Sequence, residues 1–201
     1  MQTMIIIDAQ NDFMPGGSLE VKNGDEIVAE INKLQPEFDL IVATQDWHPV
    51  NHKSFASSHE GKQPNDQIML HGLQQILWPD HCVQGSEGAK FHADLETKRV
   101  EAIFRKGMDP EIDSYSGFYD NGHRKDTGLS GYLKGREAHE LYFCGLAADI
   151  CVYFSMKDAL KEGFKVHLIE NATKPLDPVQ YEKQKEELRQ EGVKFIVMNK
   201  H

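Results

Sequence analysis

Six short apolar runs punctuate the chain: Thr3–Asp8, Leu40–Gln45, Glu101–Lys106, Leu141–Gly145, Val166–Glu170 and Val193–Met198. They are mostly continuous rather than alternating, as expected of strands covered by protein on both faces. Segments with helical period lie between several of them: Asp25–Leu34, with Ile27, Ile31 and Leu34 on one side, Asp149–Lys161 and Pro178–Gln190. Alternation of strand and helix predicts an α/β fold, a three-layer sandwich with a central, mainly parallel six-stranded sheet and helices on both faces. Right-handed crossovers then gather the carboxyl ends of the strands on one edge, where open α/β sheets place their sites. The 201 residues match a typical domain of about 100–200 residues, so a single domain over residues 1–201 is expected.

Residues 47–90 break this rhythm. The stretch is rich in His, Asn, Gly and Pro, has room for one short helix around Leu70–Leu77, and reads as a loop insertion at about 46–90. Long loops in compact domains are more often functional than accidental. Six of the ten histidines fall between His48 and His92, which marks this loop as a place to look for metal chemistry.

Charge narrows the partners. The 22 Lys+Arg against 32 Asp+Glu give a net charge of −10, and no basic run supplies the cationic face that nucleic-acid binding needs. The first residues, Met1 to Asp8, carry no basic leader. No stretch approaches the roughly 18 apolar residues of a spanning helix, and a cytoplasmic protein without a membrane partner is expected. Cys82, Cys144 and Cys151 are odd in number and lack CxxC spacing, which indicates neither a disulfide framework nor a four-thiolate zinc site.

Three strand ends carry reactive side chains. The first run closes at Asp8, the third ends in Arg105-Lys106-Gly107, and the fourth leads through Gly145 to Asp149-Ile150-Cys151 at the start of a helix. With Asp149 as N-cap, Cys151 would sit in the first turn, where the helix dipole and a nearby lysine favour a thiolate. Cys144 reads as a packed strand thiol, and Cys82, beside His81 in the loop, is a second reactive candidate. The second run ends Gln45-Asp46-Trp47-His48-Pro49. In extended chain Asp46 and His48 point to the same side and can converge on one metal ion, with a third ligand from the loop. Imidazole and carboxylate with open positions suit zinc, iron or manganese.

Together Asp8-Ala9-Gln10-Asn11-Asp12-Phe13, Gln45-Asp46-Trp47-His48-Pro49, Trp78-Pro79-Asp80-His81-Cys82-Val83, Asp113-Ser114-Tyr115-Ser116-Gly117-Phe118 and Gly145-Leu146-Ala147-Ala148-Asp149-Ile150-Cys151 resemble, in order and spacing, the nicotinamidases (pyrazinamidases) of the isochorismatase-like cysteine hydrolases. The resemblance spans nearly the whole chain. It implies a catalytic Asp8, Lys106 and Cys151, and an oxyanion hole from the N–H groups of Ala147 and Cys151 after a cis peptide before Ala147. It also implies one divalent ion, zinc or else iron or manganese, on Asp46, His48 and His81, with His52 as a further candidate ligand and His59 and His71 outside the site. The implied substrate is nicotinamide, its ring held between Phe13 and Trp78 and its amide hydrolysed to nicotinate through a cysteine thioester, a step of NAD salvage. One departure is Ala148, where relatives often carry Thr, so a supporting hydrogen bond is lost.

Alternatives stay open at this stage. They are another amidase or an isochorismatase-type hydrolase of the same fold, and a zinc-hydroxide hydrolase in which Cys151 is inert. A homo-oligomer is also left open.

Overall fold

The computed structural model describes residues 1–199. In chain order the elements are β1 (Gln2–Ile7), α1 (Glu26–Leu34), β2 (Leu40–Asp46), β3 (Gln67–Leu70), β4 (Leu73–Ile76), β5 (Ala102–Lys106), α2 (Leu129–Gly135), β6 (Glu140–Gly145), α3 (Cys151–Lys161), β7 (Lys165–Thr173), α4 (Pro178–Gln190) and β8 (Lys194–Ile196). Six strands form one sheet in the order β5-β2-β1-β6-β7-β8, and every pairing in it is parallel. All six apolar runs became its strands. The central strands are buried almost throughout, whereas the edge strand β5 alternates in burial.

Two cores cover the two faces. Ile27, Val28, Ile31 and Leu34 of α1 pack with Met4 and Ile6 on one face. Leu133 of α2, Val152 and Met156 of α3 and Leu188 of α4 pack with Ile5 and Ile7 on the other. Successive β1 side chains therefore point to opposite cores, which is why the run is continuous rather than alternating. Full burial of each such aliphatic side chain is worth about 1.5–3 kcal/mol.

Strand order places the site. From β1 the chain builds outward through β2 to β5, and from β6 it builds the other way through β7 to β8. The order reverses between β1 and β6, and crevices of open α/β sheets form at such a switch point, beyond the carboxyl ends of the strands. Asp8 follows β1 and Cys151 opens the helix after β6. Gly145 ends β6 at φ +108°, where a Cβ would lie 1.9 Å from the Ile7 carbonyl oxygen, so only glycine lets the two strand ends run this close.

Two expectations differ from the structure. The segment around Leu70–Leu77 is no helix but a β-hairpin, β3 against β4, turned on His71 and Gly72, both at positive φ. Leu70, Leu73 and Leu77 have helical spacing, but the left-handed pair at His71 and Gly72 breaks a helix and closes a tight turn instead. Helix α2 lies between β5 and β6, where no strong apolar period announces a helix. Among the described residues no helix is long and apolar enough to cross a membrane.

Candidate active site

The three strand-end residues meet. Lys106 Nζ, at the end of β5, lies 2.9 Å from Asp8 Oδ2 as an ion pair outside directed hydrogen-bond geometry. It donates to Asp46 Oδ1 at 2.7 Å, to the Ser114 carbonyl at 3.0 Å and to Cys151 Sγ at 3.5 Å. Lys106 is thus no solvated edge charge. It is buried, and although burial opposes its charge, Asp46 and Asp8 hold its pKa well above the ordinary value.

Asp8 is held by Thr44, whose hydroxyl donates to Oδ1 at 2.6 Å. Burial raises its carboxyl pKa against the pull of Lys106, and Asp46 pushes it further up. Asp8 itself adopts φ +42°, a left-handed turn that aspartate tolerates better than most residues.

Cys151 differs from the expectation in two ways. Asp149 does not cap α3. Its carboxylate accepts the N–H groups of Leu176 and Asp177 at 2.7 and 2.8 Å, so it latches the β7–α4 loop and leaves the helix without a side-chain cap. Nor do the surroundings of the Cys151 thiol favour the thiolate. Burial raises its pKa well above the usual value, and the anionic Asp8 and Asp46 oppose the help from Lys106. Cys144, buried against the Ile5 carbonyl, and Cys82 are likewise pushed up by burial.

The Leu146–Ala147 peptide is cis, as the resemblance implies. Among the described residues, the N–H groups of Ala147 and Cys151 make no hydrogen bond to protein. Ala148 is fully buried, and its N–H donates to the Lys174 carbonyl at 2.9 Å.

A second cluster adjoins the first through Asp46. His48 and His81 present Nε2 to Asp46 Oδ2 at 3.3 and 3.6 Å. Donor atoms of all three residues lie within 4.8 Å of one another. The loop is folded to do this: His48 N–H donates to the Cys82 carbonyl at 3.0 Å, and His48 accepts from Gln84 N–H at 2.8 Å. Both ring Nδ1 atoms are committed, His48 to the Gly107 carbonyl at 2.9 Å and His81 to the Pro79 carbonyl at 2.8 Å. That leaves each Nε2 lone pair facing Asp46, the orientation a metal-ligating histidine receives from its outer partners. A Cβ on Gly107 would lie 2.3 Å from the His48 ring. With two buried carboxylates and one ammonium, the site has an anionic excess that a divalent cation offsets. These residues fit a metal ion.

His52 does not join them in the same way. It is buried, and the Ser54 N–H donates to its Nδ1 at 3.1 Å. Burial pushes the pKa of its ring down to about 4, and its Nε2 has no hydrogen-bond partner among the described residues. His59 and His71 bond elsewhere, to the Lys53 carbonyl and to Glu111.

Above these groups lies a cleft with about 390 Å³ of space free of protein atoms, lined by Phe13, Trp78, Asp46, His81, Ala147 and Cys151. Leu19, Val21, Ile150 and Leu176 extend its apolar wall. Asp113 and Tyr115 also line it. They lie in a segment the resemblance marked, but neither type nor spacing gave them a role. Gln10 was missed too. Its amide clamps Asp46, donating to the carbonyl and accepting from the N–H, both at 2.8 Å.

Residues 2–199 match the model of the isochorismatase domain. The chain belongs to the isochorismatase family. Within that family, it is 48% identical over 172 residues to the nicotinamidase of Escherichia coli, covering 84% of this chain and 80% of that one. A solved nicotinamidase/pyrazinamidase of Acinetobacter baumanii superposes with a TM-score of 0.95 at 45% identity, over 98% of this chain and 95% of the other. The PnC1 protein of L. infantum in complex with nicotinate superposes at 0.87 with 40% identity, over 98% and 92%. The pyrazinamidase of Pyrococcus horikoshii in complex with zinc does so at 0.81 with 36% identity, over 98% and 99%.

Proposed function

We propose that this isochorismatase-family chain hydrolyses nicotinamide to nicotinate and ammonia, with Cys151 as nucleophile, Asp8 as proton acceptor and donor, and Lys106 as charge stabiliser. The observation that carries this reading is the meeting of those three groups, with Cys151 lining a cleft that Phe13 and Trp78 also line. Relatives described as nicotinamidases, and one that binds nicotinate, support the substrate.

An uncharged heteroaromatic amide suits the cleft, since aromatic walls contribute area and orientation without demanding a counter-charge. Asp46, His48 and His81 would hold the ion, for which we favour zinc on the strength of the zinc-bound relative; when bound, it supplies a Lewis-acidic anchor for the pyridine nitrogen.

Burial favours the protonated thiol at Cys151 and raises the proton affinity of Asp8, which suits this chemistry. Asp8 takes the thiol proton as sulfur attacks the amide carbon. Lys106 keeps both nascent anions tolerable in a buried site. The oxyanion is received by the N–H groups of Ala147 and Cys151. Asp8 then returns the proton to the departing nitrogen, the C–N bond breaks and ammonia leaves a thioester on Cys151. Asp8 next activates water, which cleaves the C–S bond, releases nicotinate and restores the thiol. The same reading sets the enzyme in the cytoplasm, where its thiol stays reduced, and in NAD salvage.

An ammonia-release assay on nicotinamide, pyrazinamide, benzamide and a carbamoylated amine, with metal analysis of the same sample, tests it. Turnover of the two heteroaromatic amides above the others is expected. No release from nicotinamide by metal-replete protein would refute the assignment.

A further inference from the structure

Hairpin β3–β4 lies outside the parallel sheet and is largely exposed, yet it buries one polar side chain of β4, Gln75. Gln75 Nε2 faces three acceptors: the Ile76 carbonyl at 2.7 Å, Tyr115 Oη at 3.1 Å and Asp113 Oδ2 at 3.2 Å. Tyr115 Oη also accepts from the indole N–H of Trp78 at 3.3 Å, and the two rings meet edge-on at 6.2 Å. One amide therefore joins two walls of the cleft. Through Tyr115, 40 residues further along the chain, it reaches back to Trp78, which follows β4 closely in sequence. Through Asp113 it reaches a buried carboxylate whose oxygen lies within 4.8 Å of ring nitrogens of His48 and His52.

The accounting of partners explains why the link matters. A phenol oxygen that accepts two N–H donors has its lone pairs filled in two fixed directions, and these fix the Trp78 ring plane. Among the described residues, the Asp113 carboxylate accepts, apart from Gln75, only the N–H of Ser114, at 2.8 Å. Without the amide, a buried carboxylate loses a donor and the indole is held by a hydroxyl free to swing.

We propose that Gln75 is a positioning residue for substrate, setting the Trp78 wall through Tyr115 while tethering Asp113 beside the imidazoles. This rests on the nicotinamide reading above. It acts on binding of the ring, not on the thiol chemistry, since Gln75 touches none of Asp8, Lys106 and Cys151. The hairpin is then a strut carrying one amide into the cleft wall.

The test uses the full-length, metal-loaded enzyme. Gln75→Met keeps the side-chain length and removes the donors; Tyr115→Phe keeps the ring and removes the hydroxyl. Ammonia release gives kcat and KM for nicotinamide. Nicotinate is titrated against Trp78 emission in a Trp47→Phe background, where Trp78 is the remaining indole. Each variant should raise KM and the nicotinate Kd about tenfold, with kcat held within about twofold. The double variant should be no worse than either single one, because both cut the same chain of hydrogen bonds. Unchanged KM and Kd in a folded variant would overturn the proposal, and so would a lowered melting temperature with unchanged KM. Should Gln75→Met fail to fold, Tyr115→Phe decides by the same readouts. Wild-type enzyme that releases no ammonia from nicotinamide would refute the substrate instead, and the Trp78 titration would still judge Gln75.

Discussion

Asp46 offers one carboxylate oxygen to Lys106, at 2.7 Å, and turns the other toward the ring nitrogens of His48 and His81. Charge at the proposed metal site and charge at the proposed nucleophile are therefore carried by one group. Burial alone would push this carboxyl up, but Lys106 holds its pKa well below the usual range.

Asp46→Asn should separate the two roles. Metal affinity is expected to fall about 10–100-fold or more, read by titration of the metal-free protein. Meanwhile Cys151 should alkylate faster than in metal-free wild type. Asp46 is one of the anions that raise the thiol pKa, so removing it moves the thiol toward thiolate. An unchanged or slower rate with iodoacetamide would break the claimed coupling.

Cys151→Ala should lower ammonia release by about 10⁴-fold or more while metal content and melting temperature stay near wild type. The rival with metal-bound hydroxide as nucleophile predicts retained turnover in the same assay. Nicotinate should protect wild-type Cys151 from alkylation, whereas Cys144, buried inside β6, should not label in the folded protein.

Much of this is legible in the sequence. Asp8, Lys106 and Cys151 each stand at or just past a strand end, and parallel topology brings such ends together whatever the loops do. Asp46 and His48 share a side because extended chain repeats every two residues. What could not be read was contact made by loops. His81 reaches His48 through a short bridge between distant segments, and only the resemblance singled it out. The burial that favours the protonated Cys151 thiol is a property of packing; a helix start and a neighbouring lysine suggested the opposite sign. Asp149 looked like a cap by type and place, but a better pair of donors waited at Leu176 and Asp177. The hairpin at Leu70–Leu77 hid because short apolar segments do not distinguish strand from helix.

Asp8→Asn should leave the fold intact and reduce kcat about 10²–10⁴-fold, since amide oxygen cannot take the thiol proton. In wild type the raised Asp8 pKa places loss of activity on acidification above pH 3.8, the ordinary aspartate value that the same residue would otherwise set. A pH–rate profile of kcat/KM whose acid limb sits at or below that value would contradict Asp8 as the base.

Glu162 gives a pH effect on stability away from the cleft. Its carboxylate accepts from Lys134, Tyr119 and Ser130, joining α2 to the end of α3, and these bonds, that from Lys134 first, lower its pKa to about 2. The unfolded chain takes up this proton near the ordinary 4.5. The folded state is therefore favoured above that pH, and the gain is lost as pH falls from about 4.5 through about 2. With solvent screening at this site the gain is at most about 1 kcal/mol at neutral pH. Glu162→Gln should lower stability by that amount at pH 7 and by progressively less toward pH 3, measured by urea denaturation. A difference between the two proteins that does not shrink on acidification would show that Glu162 contributes packing rather than charge.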